Sequence, residues 1–486
     1  MAELSALVAQ LRKTNAGLRE VIGGQAVHIE TQAAQLESLA ARVAELERRL
    51  GSDSSTSSRP PSSDPPYRKP ARSSSRTSSG RKPGGQPGQP GSTMPLINDP
   101  DQTVICDPRS CVDCGTDLSG VPVSCTTRRQ VTDVIAPPPP RVTEYLIFTR
   151  VCPCCAAAQA GPVPLFAPAR AQYGPGVLAR AAELLCGHYL PVARATRLMA
   201  SMLGVGVSSG FMAGVRGRAA RLLEISFLPR VRELLHQAGV LHVDETPARV
   251  EGALSYVHVA STDFLTAMHT GGRSKNDIDV GGVLPGYAGT IVRDGYAGYV
   301  HLIDAHHAWC GAHLLRDLAA FGRADPDTQA WAAAMADTLA DAHHHARATR
   351  AAGHDHIAPD ILTDIRRRYH GALYTGISDN RHRAGPLARD ALTLATRFRD
   401  HESMILRFVV DLAVPFTNNQ AERDIRPTKI QQRTSGGCWR TLTGLADFAV
   451  VTSYLSTATK WGLDSYDVLT QLFTTGAWLP PAAQPC

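Results

Sequence analysis

The first 50 residues of the chain keep one heptad register without interruption. A repeat of about 3.5 residues held over this length predicts a long helix in a coiled coil. Asn15 falls at an a position, where a buried asparagine pairs with its symmetry mate and favours two parallel strands. The alternative is a helix folded back on the protein's own body, with a break at Gly23-Gly24. Positions a and d are Met1, Val8, Asn15, Ile22, Ile29, Leu36, Val43 and Leu50, and Leu4, Leu11, Leu18, Gln25, Gln32, Leu39 and Leu46.

Residues 51–100 differ sharply in composition, because Ser, Pro, Gly, Gln, Arg and Lys dominate from Gly51 to about Gly91. Too few apolar residues remain for a core, so we predict a disordered linker. The charge of this linker is mainly basic, which suits loose contact with phosphates, and a merely solubilising role fits equally well. The basic residues are Arg59, Arg68, Lys69, Arg72, Arg76, Arg81 and Lys82, against Asp53 and Asp64.

The length of 486 residues predicts several domains, and an apolar content of 43% is ample for a folded body. A net charge of +6 favours an anionic partner only mildly. No apolar run approaches the roughly 18 residues of a membrane helix, and no signal peptide precedes the heptads, so we expect a cytoplasmic protein without a membrane partner. Five of the eleven cysteines cluster between residues 111 and 155, which favours a metal over a disulfide network.

Two close cysteine pairs lie within residues 101–165. One is Cys111-Val-Asp-Cys114 and the other is Cys152-Pro-Cys-Cys155. Paired cysteines of this spacing are typical of a zinc ribbon, in which four thiolates bind one structural Zn²⁺ tetrahedrally. The sequence therefore predicts Cys111, Cys114, Cys152 and Cys155 as zinc ligands.

The segment between the two pairs has strand character, because Thr126–Val134 and Arg141–Val151 are rich in Thr, Val and Tyr. We predict a hairpin that brings the pairs together. The gap between the pairs is longer than usual, so Cys106 and Cys154 are alternative ligands.

Residues 170–236 are predicted to form a helical domain, since apolar residues recur at spacings of three and four. A helix over Pro191–Leu203, a turn at Gly204-Val-Gly206 and a second helix capped by Ser208 or Ser209 resemble a helix-turn-helix. Such a pair reads DNA in some proteins and only packs in others, and both readings stay open here.

From Val240 the pattern changes to short apolar strands within residues 237–460. Three strands in a meander, a crossover and further strands are typical of an α/β domain. Residues 310–405 predict a helical insertion, and residues 461–486 a C-terminal helix and tail. The predicted strands are Val240–Asp244, Leu254–Ala260, Leu265–Thr270, Gly289–Arg293 and Val300–Ile303.

Two carboxylates fall at the ends of these strands. Asp244 ends the first strand and Asp294 follows the fourth, so the predicted topology places them side by side. Carboxylates at neighbouring strand ends suit hard divalent cations, which prefer oxygen ligands. Two such ions activate a nucleophilic oxygen and stabilise the leaving oxygen of a phosphodiester.

A third carboxylate, Glu422, lies in the run Asn418-Asn-Gln-Ala-Glu-Arg-Asp424. Either Asn418 or Asn419 is a plausible N-cap, which puts Glu422 in the first turns of a helix. On a continuous helix a basic stripe would follow Glu422 along one face, matched to a phosphate backbone. Pro427 is predicted to kink or interrupt that helix, and an ordinary surface ion pair is the alternative. The predicted DNA contacts are Arg423, Arg426, Lys429 and Arg433.

Together these motifs resemble the large transposases of the insertion sequence sixty-six family, a group of bacterial DDE transposases. One departure is Thr417, where many members have Asp before the two asparagines. The motifs that carry the resemblance across nearly the whole chain are the heptads, Ser57–Asp64, Lys82–Gly88, the two cysteine pairs, His242–Pro247, Asp294–Tyr296, Cys310–His313, Leu315–Asp317 and Asn418–Arg423.

The resemblance implies that Asp244, Asp294 and Glu422 are the DDE triad of a ribonuclease-H-like catalytic core that uses Mg²⁺ or Mn²⁺. It also implies the reaction. Water attacks the phosphodiester at the end of the element, and the freed 3′-hydroxyl then attacks target DNA, without a covalent protein intermediate. The expected fold class is a multidomain α/β protein, in which coiled coil, zinc ribbon and helical domain precede the core.

The expected partners are double-stranded DNA, further copies of the chain through the coiled coil, and accessory proteins of the same element. When bound to DNA, the protein is expected on the nucleoid. Cys310 and His313 resemble a motif found in several DDE groups and form either a buried structural pair or a second zinc site. Two rival functions are a nuclease that cuts without joining and a non-catalytic DNA-binding relative.

Overall fold

The computed structural model describes residues 2–51, 94–134, 136–137, 139–164 and 166–482. The predicted linker therefore lies largely outside the described residues. The strands are β1 Thr149–Val151, β2 Ala158–Ala160, β3 Val240–Val250, β4 Ala253–Ser261, β5 Thr266–Gly271, β6 Thr290–Arg293 and β7 His306–Trp309. The helices are α1 Ala2–Gly51, α2 Pro175–Ala182, α3 Val192–Leu203, α4 Ser209–Ile225, α5 Phe227–His236, α6 Lys275–Asp279, α7 Gly311–Ala324, α8 Ala330–Ala351, α9 Pro359–Arg381, α10 Pro386–Asp400, α11 Glu402–Ile405, α12 Arg407–Val410, α13 Asn419–Thr434, α14 Leu442–Lys460 and α15 Ser465–Thr474.

A mixed five-stranded sheet organises the second half of the chain, with strand order β5-β4-β3-β6-β7. Strands β3, β4 and β5 form an antiparallel meander, and β6 and β7 continue the sheet parallel to β3. The predicted meander and its crossover to a fourth strand are confirmed. In the β3–β6 register Val240 lies opposite Thr290 and His242 opposite Val292. This register brings the C-terminal end of β6 beside the middle of β3.

The predicted strand over Val300–Ile303 is wrong. Ala297–Tyr299 form a 3₁₀ turn and the chain reaches the sheet edge only at β7, six residues later than predicted. Val300 and Ile303 are exposed, whereas Tyr299 is buried and its hydroxyl donates to Glu245 Oε2 at 2.8 Å. This hydrogen bond holds the chain in the turn at Tyr299. The residues that follow therefore do not form a strand, although their types favour one.

The strands predicted between the two cysteine pairs are also wrong, apart from Thr149–Val151 in β1. Residues 126–134 have no strand where they are described, and Val131 and Val142 are almost fully exposed. β-branched residues favour strands only where a pleated surface can bury them. The prolines at 137–140, which lack an N–H donor, separate the two predicted segments.

Two buried apolar clusters form the core around the sheet. The first joins the helices of residues 175–236, together with α13, α14 and α15, to β3, β4 and β5. The second joins the helices of residues 311–410 to the edge formed by β6 and β7. The predicted helical segment at 310–405 is therefore confirmed as helices, and it has a core of its own around Trp331 and Tyr369.

The predicted helix pair before the sheet is confirmed as α3 and α4. Gly204 closes α3 in the left-handed conformation at φ 66°, which favours glycine. Ser208 caps α4, and its hydroxyl accepts the N–H of Phe211 at 3.1 Å. These contacts establish the turn between the helices, and DNA reading by α4 stays a prediction.

The heptad segment forms the single helix α1, which passes through Gly23 and Gly24 without a break. Where its side chains are described, the seam residues are exposed, among them Leu11, Leu18, Ile22 and Leu36. None of the helices in the described part of the chain is long and apolar enough to cross a membrane.

Deleting residues 2–50 is expected to lower the oligomeric state, because each seam side chain buried against a partner contributes about 1.5–3 kcal/mol. Light scattering on the intact and shortened proteins measures the change. Leu11→Asp with Leu18→Asp should have the same effect, whereas Lys13→Ala with Glu20→Ala, away from the seam, should not. An unchanged mass after the deletion would contradict the coiled-coil prediction.

Candidate active site

Asp244 lies in the middle of β3, beside the end of the parallel strand β6. The prediction that the first strand ends at Asp244 is wrong, because β3 continues to Val250 in its pairing with β4. Its Oδ1 accepts the backbone N–H of Glu245 at 2.9 Å. Burial, and then the charges of Glu245, Asp294 and Glu422, raise the pKa of Asp244 well above its usual value. Asp294 and Glu422 therefore lie close enough to Asp244 to disfavour its charged form.

Asp294 is the first residue after β6. The β3–β6 register, extended by two residues, places it beside Asp244 as predicted. Its Oδ1 accepts the N–H of Tyr296 at 2.9 Å, which fixes the carboxylate in the turn. The buried Arg293 supports the same turn, since its Nη1 donates to the carbonyls of Asp294 and Tyr296 at 2.8 and 2.9 Å.

Glu422 lies in the first turn of α13, whose N-cap is Asn418. The predicted cap position is confirmed, but the side chain of Asn418 makes no cap hydrogen bond. Instead its Nδ2 donates to the Val243 carbonyl at 2.7 Å, and its Oδ1 lies 3.0 Å from Nδ1 of His242. Asn418 thus ties the start of α13 to the strand residues that precede Asp244, a role that the sequence did not indicate.

Asp244, Asp294 and Glu422 could hold a divalent cation, although among the described residues their ligand atoms do not form a group within 4.8 Å of one another. Glu422 Oε1 is buried and has no hydrogen-bond partner among the described residues. Burial disfavours the charged form of Asp244, and the charges of Glu245, Asp294 and Glu422 add to this cost, which a bound cation lowers. Asp244, Asp294 and Glu422 supply only oxygen atoms, which Mg²⁺ and Mn²⁺ prefer. These residues are the ones that would hold such ions.

A fourth carboxylate, Glu245, takes part in a hydrogen-bond network that sequence reasoning missed. Its Oε1 accepts two hydrogen bonds from Arg273, at 2.7 and 3.0 Å, and its Oε2 accepts from Tyr299. Arg273 also lies 3.8 Å over the ring of Tyr296, whose hydroxyl donates to the Arg273 carbonyl at 2.7 Å. This network neutralises Glu245 and fixes the turn that carries Asp294.

An open cleft of about 350 Å³ adjoins Asp294. It runs from the sheet edge to the helical segment, and its walls carry both acidic and basic groups as well as the Trp309 ring. Arg397 crosses from α10 toward this ring at 5.2 Å. The charged and aromatic residues that line the cleft are Arg273, Asp294, Tyr296, Trp309, His313, Asp317 and Arg397.

Cys310 and His313 lie at the start of α7, on the side of the cluster where Glu422 lies. One ligand atom from each of Cys310, His313 and Glu422 lies within 4.8 Å of the others. Burial disfavours both the Cys310 thiolate and the His313 imidazolium. The contact between the thiol and the imidazole favours these charged forms and outweighs the effect of burial. The pKa of Cys310 is lowered and that of His313 is raised to about 9.

The predicted basic stripe follows Glu422 along α13, which continues through Pro427 to Thr434. The expected interruption is wrong, because proline removes only one hydrogen bond and α13 packs along β3 and β4. Arg423, Arg426 and Arg433 are exposed. Lys429 differs, since its Nζ donates to the Pro247 carbonyl, and burial and then the charge of Arg433 lower its pKa.

Each predicted zinc-ligand pair occupies the same kind of tight turn. The N–H groups of Cys111 and Cys152 donate to the carbonyls of Thr116 and Ala157, each at 2.9 Å. The residue after each pair, Gly115 or Ala156, has a positive φ. The thiols within each pair are in contact, but across the described residues the two pairs do not form one group of ligand atoms.

Burial of thiols does not account for these turns, because the cysteines are exposed or half-buried. The Thr116 hydroxyl and backbone, and then the Cys111 thiol, lower the pKa of Cys114. The backbone N–H groups of Cys155 and Cys154, and then the Cys155 thiol, lower the pKa of Cys152. At one cysteine of each pair the lowered pKa favours the thiolate, the form in which cysteine binds zinc.

Comparison with known families gives two matches. The family model described as "Transposase IS66 family" matches residues 170–446, more than half of the chain. A second model, described as "Family of unknown function (DUF6444)", matches residues 1–95. No curated protein matches the chain. The match over residues 170–446 spans the helices before the sheet, the sheet itself and Glu422, and on this ground the chain belongs to the IS66 family of transposases and is a transposase of an insertion sequence.

Proposed function

We propose that this transposase cuts and joins DNA at a divalent-metal site formed by Asp244, Asp294 and Glu422. The proposal is supported by the β3–β6 register, which puts Asp294 beside Asp244, and by the charges of Asp294 and Glu422, which help to raise the pKa of Asp244. We also propose that residues 237–460 form a ribonuclease-H-like catalytic core with its helical insertion at about 310–405. The mixed sheet, with Asp244 on β3 beside Asp294 at the end of β6, supports this assignment.

Mg²⁺ or Mn²⁺ bound there would make an attacking oxygen more acidic and neutralise charge on the leaving oxygen. The protein's own residues prepare the site. Asn418 holds α13 against β3, Tyr296 and Arg293 fix the turn of Asp294, and Arg273 neutralises Glu245. These contacts keep the three carboxylates in place before DNA arrives, which is the condition for catalysis by positioning.

The proposed reaction has two steps of phosphoryl transfer. In the first step, water adds to the phosphorus at the element's end, the bond to the 3′ oxygen breaks, and a 5′-phosphate and a 3′-hydroxyl are released. In the second step, that 3′-hydroxyl attacks a phosphodiester of target DNA, loses its proton and displaces another 3′ oxygen. Phosphorus is never bonded to the protein in either step.

The remaining parts of the chain are proposed to deliver DNA and partners to this core. Residues 1–50 would form the coiled coil, 51–100 the basic linker, 101–165 the zinc ribbon and 170–236 the DNA-binding helical domain, with residues 461–486 as the C-terminal helix and tail. The two cysteine turns support the ribbon, and the capped pair α3 and α4 supports the DNA-binding domain. We also propose that the protein works with accessory proteins of the same element and lies on the nucleoid when it is bound to DNA.

The exposed arginines of α13 are proposed to contact the DNA backbone. Replacing Arg426 and Arg433 with Gln should weaken binding to end DNA and flatten the salt dependence, since each phosphate contact adds about 0.9 to the slope of log affinity against log salt. Titrations at several ionic strengths measure the slope. Lys429→Gln should change it less, because the Lys429 ammonium already donates to the Pro247 carbonyl. An unchanged slope in the double variant would show that Arg426 and Arg433 do not contact the DNA backbone.

The test of the proposed function is a joining assay with the DNA that borders the gene. A labelled end fragment, a supercoiled target plasmid and Mg²⁺ are mixed with the full chain. We expect a new 3′-hydroxyl at the fragment end and its covalent transfer to the plasmid. Cleavage without transfer would favour a nuclease that only cuts, and binding without cleavage would favour a non-catalytic relative.

A further inference from the structure

Glu422 lies near two sets of side chains that would bind different kinds of metal ion. On one side are Asp244 and Asp294, which offer oxygen only. On the other side are the Cys310 thiol and the His313 imidazole, whose ligand atoms lie within 4.8 Å of each other and of a Glu422 oxygen. His313 Nδ1 and Glu422 Oε1 are 3.8 Å apart, and each is buried without a hydrogen-bond partner among the described residues. A cation placed between these two atoms would contact both of them.

The backbone holds Cys310 and His313 rigidly in this position. The Cys310 N–H donates to the Arg293 carbonyl at 2.8 Å, and its Sγ accepts the N–H of Asn418 at 3.2 Å. Gly311 lies so close to Phe416 that a Cβ would come within 2.1 Å of the ring, so only glycine allows this approach. The start of α7 is therefore locked between the end of β6 and the start of α13, with its two ligating side chains toward Glu422.

We propose that Cys310, His313 and Glu422 form a transition-metal site for Zn²⁺, separate in chemistry from the Mg²⁺ site. Sulfur, nitrogen and oxygen ligands are a donor set typical of zinc, whereas Mg²⁺ does not bind thiolate or imidazole well. Ligand atoms around tetrahedral zinc are about 3.3–3.6 Å apart, so the observed spacing closes with small side-chain movements. Zinc binds the thiolate and the neutral imidazole, so the one proton that Cys310 and His313 share goes to solvent on binding.

The consequence concerns Glu422, which belongs to both sets. Zn²⁺ that engages Glu422 together with Cys310 and His313 turns this carboxylate away from Asp244 and Asp294. We infer that Zn²⁺ inhibits the Mg²⁺-dependent reaction by removing its third carboxylate, so that zinc availability controls activity. This inhibitory part rests on the proposed function, whereas metal binding by the three residues does not.

Metal binding is tested without activity by titrating the full-length, metal-depleted chain with Co²⁺ and recording thiolate-to-metal absorption. The wild type should bind one Co²⁺ more than Cys310→Ser and His313→Ala, whose affinity at this site should fall at least about tenfold. Cys438→Ser, a cysteine outside the cluster, is the matched control and should bind like the wild type. Circular dichroism confirms that each variant is folded, and Glu422→Gln provides a second ligand variant if Cys310→Ser unfolds. Equal uptake and equal spectra in wild type and in all folded ligand variants would overturn the proposal.

Inhibition is tested by adding Zn²⁺ to cleavage reactions with Mg²⁺ in excess and comparing each variant with its own zinc-free rate. Wild type and Cys438→Ser should be inhibited, whereas Cys310→Ser should need at least about tenfold more Zn²⁺. Equal sensitivity of Cys310→Ser would overturn the inhibitory role. If the wild type binds the extra Co²⁺ but shows no Mg²⁺-dependent cleavage even without zinc, the site stands and the proposed function fails.

Discussion

Asp244→Asn, Asp294→Asn and Glu422→Gln should each lose at least about 100-fold in the rate of end cleavage while they still bind DNA. Loss of an outer contact to a metal ligand already costs about 10–100-fold, so loss of a ligand should cost more. The structure adds a reason, because the charges of Asp294 and Glu422 already act on Asp244 in the free protein, and each amide removes one negative charge that would balance the cation. Cleavage of an end-labelled fragment with Mg²⁺ measures the effect, and a binding assay separates it from lost affinity.

The matched control is Asp263→Asn, the same change at an exposed carboxylate in the turn between β4 and β5. It should cleave like the wild type. Near-normal Mg²⁺-dependent cleavage by any one of the three variants would exclude that residue from the site. Glu245→Gln is a further informative variant, because Glu245 bonds to Arg273 and Tyr299. This change should have a larger effect on the position of the turn at Asp294 than on metal binding.

The second large effect is expected at the cysteine turns. Purified protein should carry about one Zn²⁺ on Cys111, Cys114, Cys152 and Cys155, and Cys111→Ser with Cys114→Ser should lose it together with the local fold. Structural zinc contributes on the order of 10 kcal/mol in small modules. Here few other interactions replace it, because the side chains around both turns are largely exposed. Metal analysis and limited proteolysis of residues 101–165 measure the two losses.

Cys125→Ser is the control, since this exposed cysteine lies outside both turns. Cys106→Ser and Cys154→Ser test the alternative ligands and should keep the metal. Undiminished zinc in the Cys111 and Cys114 double variant would reject the ribbon assignment.

Local sequence patterns predicted the elements that carry Asp244, Asp294 and Glu422. Apolar runs fixed β3 and β6, and the crossover rule made them neighbours, so the pairing of Asp244 with Asp294 followed from the order of strands alone. The position of Asn418 as N-cap of α13 was equally local. These features depend on residues close together in the chain.

Contacts between distant segments were not predictable in the same way. Asn418 bonds to Val243, and Arg273 to Glu245, across separations that a single sequence does not encode as a pattern. The strand misplaced at Val300–Ile303 has the same origin, because the bond from Tyr299 to Glu245 outweighs the strand propensity that follows it. At Pro427 a distant contact preserves an element instead. A proline inside a helix predicts an interruption, but packing of α13 on the sheet maintains the helix.

The proximity of the carboxylates predicts a change in stability as well as in activity. Because burial and neighbouring charges raise the pKa of Asp244, its ionisation opposes folding when no metal is bound. This penalty is absent below the unfolded-state pKa and grows as the pH rises toward the raised folded-state pKa. Metal-free Asp244→Asn should therefore unfold at a higher temperature than wild type, by a margin that increases with pH.

Thermal unfolding with and without Mg²⁺ tests most directly whether Asp244, Asp294 and Glu422 hold a divalent cation together. A ligand at one hundred times its dissociation constant stabilises the folded state by about 2.7 kcal/mol, which corresponds to several degrees. We predict that Mg²⁺ raises the unfolding temperature of wild type and Asp263→Asn, and leaves Asp244→Asn, Asp294→Asn and Glu422→Gln unchanged. An equal Mg²⁺-dependent rise in the three variants and the wild type would contradict the account.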